Sequence, residues 1–101
     1  MKKINLENYD VTMQLDDGSL KTWTYQVKKS LIFCLFHPSL NLSAKELLER
    51  EKVASKIESA NKEVILNDKE YKIIKNTFDK IRGFQKNDLE LVRRVYHPIR
   101  E

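Results

Sequence analysis

"YDVTMQLDDGSLKTWTYQV" (residues 9–27) decides the fold, because it alternates apolar and polar residues in a chain whose remaining segments are patterned for helix. Tyr9, Val11, Met13 and Leu15 fall on one face and Asp10, Thr12 and Gln14 on the other, which is the period of a half-buried strand. Trp23, Tyr25 and Val27 stand in phase on a second arm. A two-residue Asp17-Gly18 turn would set Val11 against Thr24 and Met13 against Thr22, leaving Trp23 and Tyr25 on the polar face. A three-residue loop, Asp16-Asp17-Gly18, instead pairs Val11 with Trp23 and Tyr9 with Tyr25, and places Gly18 at the left-handed position such loops need. The three-residue loop is therefore the expected one. A lone hairpin is marginal in water, so its apolar face must lie on helices or its edge on another chain.

Beyond the hairpin, "VKKSLIFCLF" is too apolar all round for a surface strand. It predicts a short buried helix at about 28–36, with a central strand as the competing reading. The next boundaries are sharper. In "LSAKEL", Ser43 can cap the amide of Glu46 while Glu46 returns to the Ser43 amide, with Leu42 and Leu47 at the staple positions; "LNDKEY" repeats this with Asn67, Glu70, Leu66 and Tyr71. These signatures predict a helix at 44–60 with Leu47, Ala54, Ile57 and Ala60 on one stripe, flanked by Leu48 and Val53. A second helix at 68–82 carries Tyr71, Ile74, Phe78 and Ile81 and stops at Gly83, a natural left-handed C′ residue. "NKEVIL" between them reads as a short extended link with room for a small strand. A last helix at 88–96 follows Asn87, with Glu90 at N3, and Pro98 ends it. The expectation is a single α+β domain over 1–101, an N-terminal hairpin (9–27) packed on three to four helices that hold most of the residues.

The only two histidines each precede a proline, in "LIFCLFHP" (31–38) and "LVRRVYHP" (91–98). A proline pushes the residue before it out of the α region, and a histidine at a helix C-terminus interacts favourably with the dipole, so both pairs read as helix endings rather than as a duplicated site. A joint metal site at His37 and His97 lacks any accompanying ligand cluster, and no metal or other cofactor is expected. The lone Cys34 lies among apolar neighbours and reads as a core thiol in a reducing compartment. Glu46, Glu70 and Glu90 have capping tasks, and with two glycines there is no phosphate-cradling loop. The chain is not expected to be an enzyme.

Nineteen Lys and Arg against fifteen Asp and Glu give a net charge of +4, but the signs are interleaved along the chain. The best basic face runs over the 68–82 helix and its exit: Lys69, Lys72, Lys75, Lys80, Arg82 and Lys86, with Phe84 exposed among them for base stacking, and Arg93 and Arg94 extending it. Asp68, Asp79 and Asp88 interrupt this candidate nucleic-acid surface. Protein binding has support of its own: Tyr9, Trp23 and Tyr25 lie on a hairpin with free edges that invite strand addition. A core role for Trp23 competes with an interface role. The N-terminus has no apolar leader core and the longest apolar run is six residues, so a cytoplasmic protein without membrane contact is expected, with a homo-oligomer left open.

The stretch "LSAKELLEREKVASKIESANKEVILNDKEYKIIK" (42–75) resembles small, functionally unassigned proteins of tailed bacteriophages and prophages. The shared pattern is a capped helix with a Lys/Arg-x-x-x-Ala-x-x-Ile core, a Val-x-Leu link, and a second helix that opens with Glu and contains Ile-Lys. The "NDLELVRRVYHP" end departs from the more apolar, glycine-containing ending of that pattern, and the Trp23 hairpin is not part of it. The resemblance implies a phage setting and transfers no functional residues. It also implies an accessory protein that acts by stoichiometric binding to a host or viral protein. A nucleic-acid-binding regulator and a virion-assembly component are the alternatives.

Overall fold

A computed structural model describes residues 1–100, with side chains through Ile99. The chain is α+β, 53% helix against 21% strand. Strands β1 (Lys2–Asn5), β2 (Tyr9–Gln14) and β3 (Leu20–Tyr25) come first, followed by α1 (Val27–Leu35) and α2 (Ala44–Ser59). Strand β4 (Glu63–Leu66), α3 (Asp68–Lys80), α4 (Leu89–Tyr96) and β5 (Ile99–Arg100) complete it. Two sheets form, a three-stranded antiparallel one in the order β4-β1-β5 and the two-stranded hairpin β2-β3.

The hairpin has the three-residue loop. Tyr9 pairs with Tyr25, Val11 with Trp23 and Met13 with Lys21. Leu15 N–H closes on the Ser19 carbonyl at 2.8 Å, and Gly18 takes φ +86°. Asp17 Oδ1 accepts from the Ser19 amide at 2.9 Å and holds the loop.

Residues 27–35 are a helix. Val27, Leu31, Cys34 and Leu35 are buried at the i, i+4, i+7, i+8 spacing that only a helix brings to one face. The stripe leaves Phe33 pointing outward, 65% exposed. Both reciprocal capping boxes are present: Ser43 with Glu46 opens α2, and Asn67 with Glu70 opens α3. Tyr71, Ile74, Phe78 and Ile81 are all buried, as the period-3.6 pattern requires.

Four local readings differ from the structure. Leu47 and Leu48 are exposed, because the first turns of α2 overhang the core; Arg50 takes the inward position instead, 5% exposed, its apolar stem filling the gap. Helix α3 ends at Lys80, since Ile81 is already extended (φ −74°, ψ 138°) and tucks into the core, so the positive φ of Gly83 turns the chain two residues later. Asn87 is not the cap before α4. A 3-10 turn, Lys86–Asp88, precedes that helix, and the Asp88 carboxylate accepts from the Gln85 amide at 2.8 Å while Glu90 faces Arg94 at 3.8 Å. Phe84 is half-buried, its ring stacked on Phe78 at 5.2 Å, and so is not an open stacking platform.

The sequence announced neither β1 nor the two-residue β5, and of the two it is β1 that reaches the core. Its register sets Ile4 opposite Val64 and Lys2 opposite Leu66. Ile4, Val64 and Leu66 then turn to the helices and are within 2% of full burial. Each such aliphatic side chain contributes roughly 1.5–3 kcal/mol of transfer free energy, so this small sheet is a wall of the core. Both His-Pro pairs lie at helix ends. His37 caps a 3-10 turn, Pro38–Leu40, its Nδ1 accepting from the Ser39 amide at 3.1 Å, and His97 caps the C-terminus of α4.

The radius of gyration is 14.6 Å and the extents are 48 × 32 × 21 Å. A compact chain of this length would have about 13 Å. The excess comes from the hairpin, which leans on the helices at its base and packs beyond it chiefly on itself.

Candidate functional site

The base of the hairpin is fastened by side chains. The rings of Tyr9 and Tyr25 stack at 4.7 Å, and both pack against the core. The Tyr9 hydroxyl donates to the Asn87 carbonyl at 2.8 Å, and the Tyr25 hydroxyl donates to the Asp88 carboxylate. Arg94 lies over the Tyr9 ring and donates to the carbonyls of Asn5 (3.2 Å) and Glu7 (2.7 Å), locking α4 to the link between β1 and β2. Burial pushes the Tyr25 hydroxyl well above the usual tyrosine range, and its bond to Asp88 pushes in the same direction.

Past the base the hairpin is open. Met13, Leu15 and Leu20 are exposed, and Trp23 is half-buried across from Val11. Val11 and Trp23 lie outside the cluster that forms the main core, so Trp23 covers its own strand partner rather than the domain. Among the described residues neither strand has a second strand neighbour. Because Leu15 and Ser19 are a hydrogen-bonded pair, the period of two turns the backbone groups of Tyr25, Trp23 and Lys21 inward. The N–H and C=O of Thr22 and Thr24 then face the outer edge of β3.

At the Thr24–Gln26 end of that edge lies a groove of about 570 Å³, bounded by the end of β3, the outer face of α1 and the α3–α4 connection. Ile81, Phe84 and the buried side of Cys34 form its floor, Phe33 and His37 one wall, and Lys29 and Arg82 stand at it. The Phe33 and His37 rings meet edge to face at 5.5 Å. Burial pushes the Cys34 thiol up to about 11, so at neutral pH it is a protonated wall rather than a nucleophile. This groove was not read from the sequence. Its one signal was Phe33, a large aromatic out of phase with the buried stripe of α1.

The basic residues divide among several elements. Lys69, Lys72, Lys75 and Lys80 are exposed on α3, and Arg93 is exposed on α4. Arg82 lines the groove, Lys86 lines a separate crevice beside β2, and Arg94 is committed to the base of the hairpin. His37 and His97 line different hollows. Among the described residues no three His, Cys, Asp or Glu side chains converge as a metal site, and no helix is long and apolar enough to cross a membrane. No protein-family profile matches this chain, and no curated protein or solved structure matches it.

Proposed function

We propose that this is a non-catalytic binding protein that acts stoichiometrically by laying its β2-β3 hairpin on a partner protein. The observation that carries the reading is a hairpin anchored at one end, with exposed Met13, Leu15 and Leu20, a half-covered Trp23 and unpaired strand edges. Isolated two-stranded ribbons gain little by themselves, and an open edge beside aromatic side chains is a template for strand addition. The likeness of residues 42–75 to phage proteins supports a phage setting, in which the partner is a host or viral protein. Proximity of an apolar tip to free edges equally supports self-pairing, the arrangement a virion component would use.

The test is solution mass by light scattering, with and without duplex and single-stranded oligonucleotides at two salt concentrations, followed by affinity capture. Trp23→Lys is expected to abolish association with the captured partner while circular dichroism and the melting temperature stay near the parent values. A salt-sensitive mass shift with oligonucleotide, lost on charge reversal at Lys72 and Lys75, would replace this reading with nucleic-acid binding by α3.

A further inference from the structure

We infer that the groove beside β3 is a specificity pocket for an extended acidic segment of a partner protein, which adds to the β3 edge, seats an apolar side chain against Phe33 and Phe84, and turns a carboxylate to Lys29 and Arg82. The inference rests on the protein-binding reading and names the chemistry of the partner. Four observations meet in one place. The backbone groups of Thr22 and Thr24 point outward on the free edge of β3, with no backbone partner among the described residues, and Thr24 brings that edge to the groove. The floor is apolar and within the size range of sites that take a side chain or a small ligand. Phe33, turned outward by the phase of α1, is 65% exposed where it lines the groove.

The fourth observation is charge. Lys29 and Arg82 form no ion pair among the described residues. The groove's own carboxylate, Asp88, is already engaged at both oxygens, accepting from the Tyr25 hydroxyl at one and from the Gln85 amide at the other. Lys29 and Arg82 therefore outnumber the groove's one carboxylate, whose oxygens are taken up by neutral donors, and the opening keeps a net positive charge. A guanidinium beside an aromatic wall selects a carboxylate flanked by an apolar residue, by charge-assisted hydrogen bonding at one point and apolar burial at the next. A basic segment would meet like charge at both positions.

The probe is a short acetylated and amidated peptide of alternating valine and glutamate with a central phenylalanine, titrated into the intact protein and followed by amide chemical shifts. Its twin carries lysine in place of glutamate. The acidic peptide is expected to move the amides of Thr22, Thr24, Lys29 and Arg82 and to leave the loop at Asp17 unmoved, with the lysine twin weaker by about tenfold or more. Arg82→Glu and Phe33→Ser, both at exposed positions that leave the core intact, are each expected to weaken the acidic peptide by about tenfold, and Lys75→Glu on α3 is expected to leave it unchanged. No binding by the acidic peptide, equal binding by the twin, or indifference to Arg82→Glu overturns the pocket. Those failures leave the hairpin reading standing on the Trp23→Lys experiment, whose own failure would not be repaired by a peptide in the groove.

Discussion

Tyr25 fastens the hairpin through one hydroxyl, and that hydroxyl must keep its proton to donate to Asp88. Burial first, and the bond to Asp88 second, raise its ionisation above the ordinary value of 10.0. A group raised in the folded state contributes stability in full below its unfolded pKa and loses it as pH climbs through the folded one. The stability this attachment contributes is thus complete at neutral pH and declines from about 10 upward, where the unfolded chain ionises first. Tyr25→Phe should cost about 1 kcal/mol at neutral pH, since the site is part-exposed, and should flatten the alkaline fall in melting temperature relative to the parent. An equal alkaline fall in both proteins would detach Tyr25 from that dependence. Arg50 behaves differently. Its guanidinium is buried, and among the described residues its Nε finds no partner, Glu46 is 4.0 Å away, and its one good bond goes to Thr77 Oγ1 at 3.2 Å. Thr77 remains satisfied without it, donating to the Ile73 carbonyl at 2.7 Å. Replacing a poorly paired buried charge by an apolar side chain of similar length is often neutral or stabilising. Arg50→Met should hold or raise the melting temperature, and a fall equivalent to more than about 2 kcal/mol would mean that Arg50 makes a stronger interaction than this geometry allows.

The elements that could be read in the sequence are those whose determinants are local. Both capping boxes close within four residues, and the hairpin register follows from one loop length and the phase of Trp23 against Val11. Asn67 shows the size of such a determinant: its Oδ1 takes the Glu70 amide at 2.8 Å, and Glu70 returns to the Asn67 amide at 2.9 Å. Asn67→Ala should lower stability by about 1 kcal/mol by chemical denaturation, with an unchanged denaturant dependence; no change would remove the box as the start signal of α3. Strand β1 was not legible because Lys2–Asn5 has a single buried apolar residue, Ile4, and its pairing partner arrives only at Glu63–Leu66. The positions of Leu47 and Leu48 failed for a related reason. Periodicity says which face of a helix is apolar but not where along its length the core stops, and α2 runs past that end. The groove needed the same non-local information, since α1, β3 and the 81–88 connection meet only in the folded chain.

At the scale of the whole molecule, stability should be unequal, and the inequality is what a binding hairpin requires. The β4-β1-β5 sheet is sealed against the helices by Ile4, Val64 and Leu66, whereas the hairpin is held by two tyrosines at its base and extends the molecule to 48 Å. Segments with few buried apolar contacts open locally, at free energies well below that of global unfolding. Native-state hydrogen exchange should therefore rank the inward amides of Met13 and Lys21 far below those of Ile4 and Val64, although both sets lie in antiparallel ladders. Tyr25→Phe should lower protection across β2 and β3 without touching β1 and β4. Thr22 and Thr24, whose amides face the free edge, should exchange fastest of all in the isolated protein and become protected when a partner strand is added. If the hairpin amides instead exchange only with global unfolding, the ribbon is part of the cooperative core. A strand added to β3 would then meet a rigid template, and the protection gained on binding would be confined to the outward amides of Thr22 and Thr24.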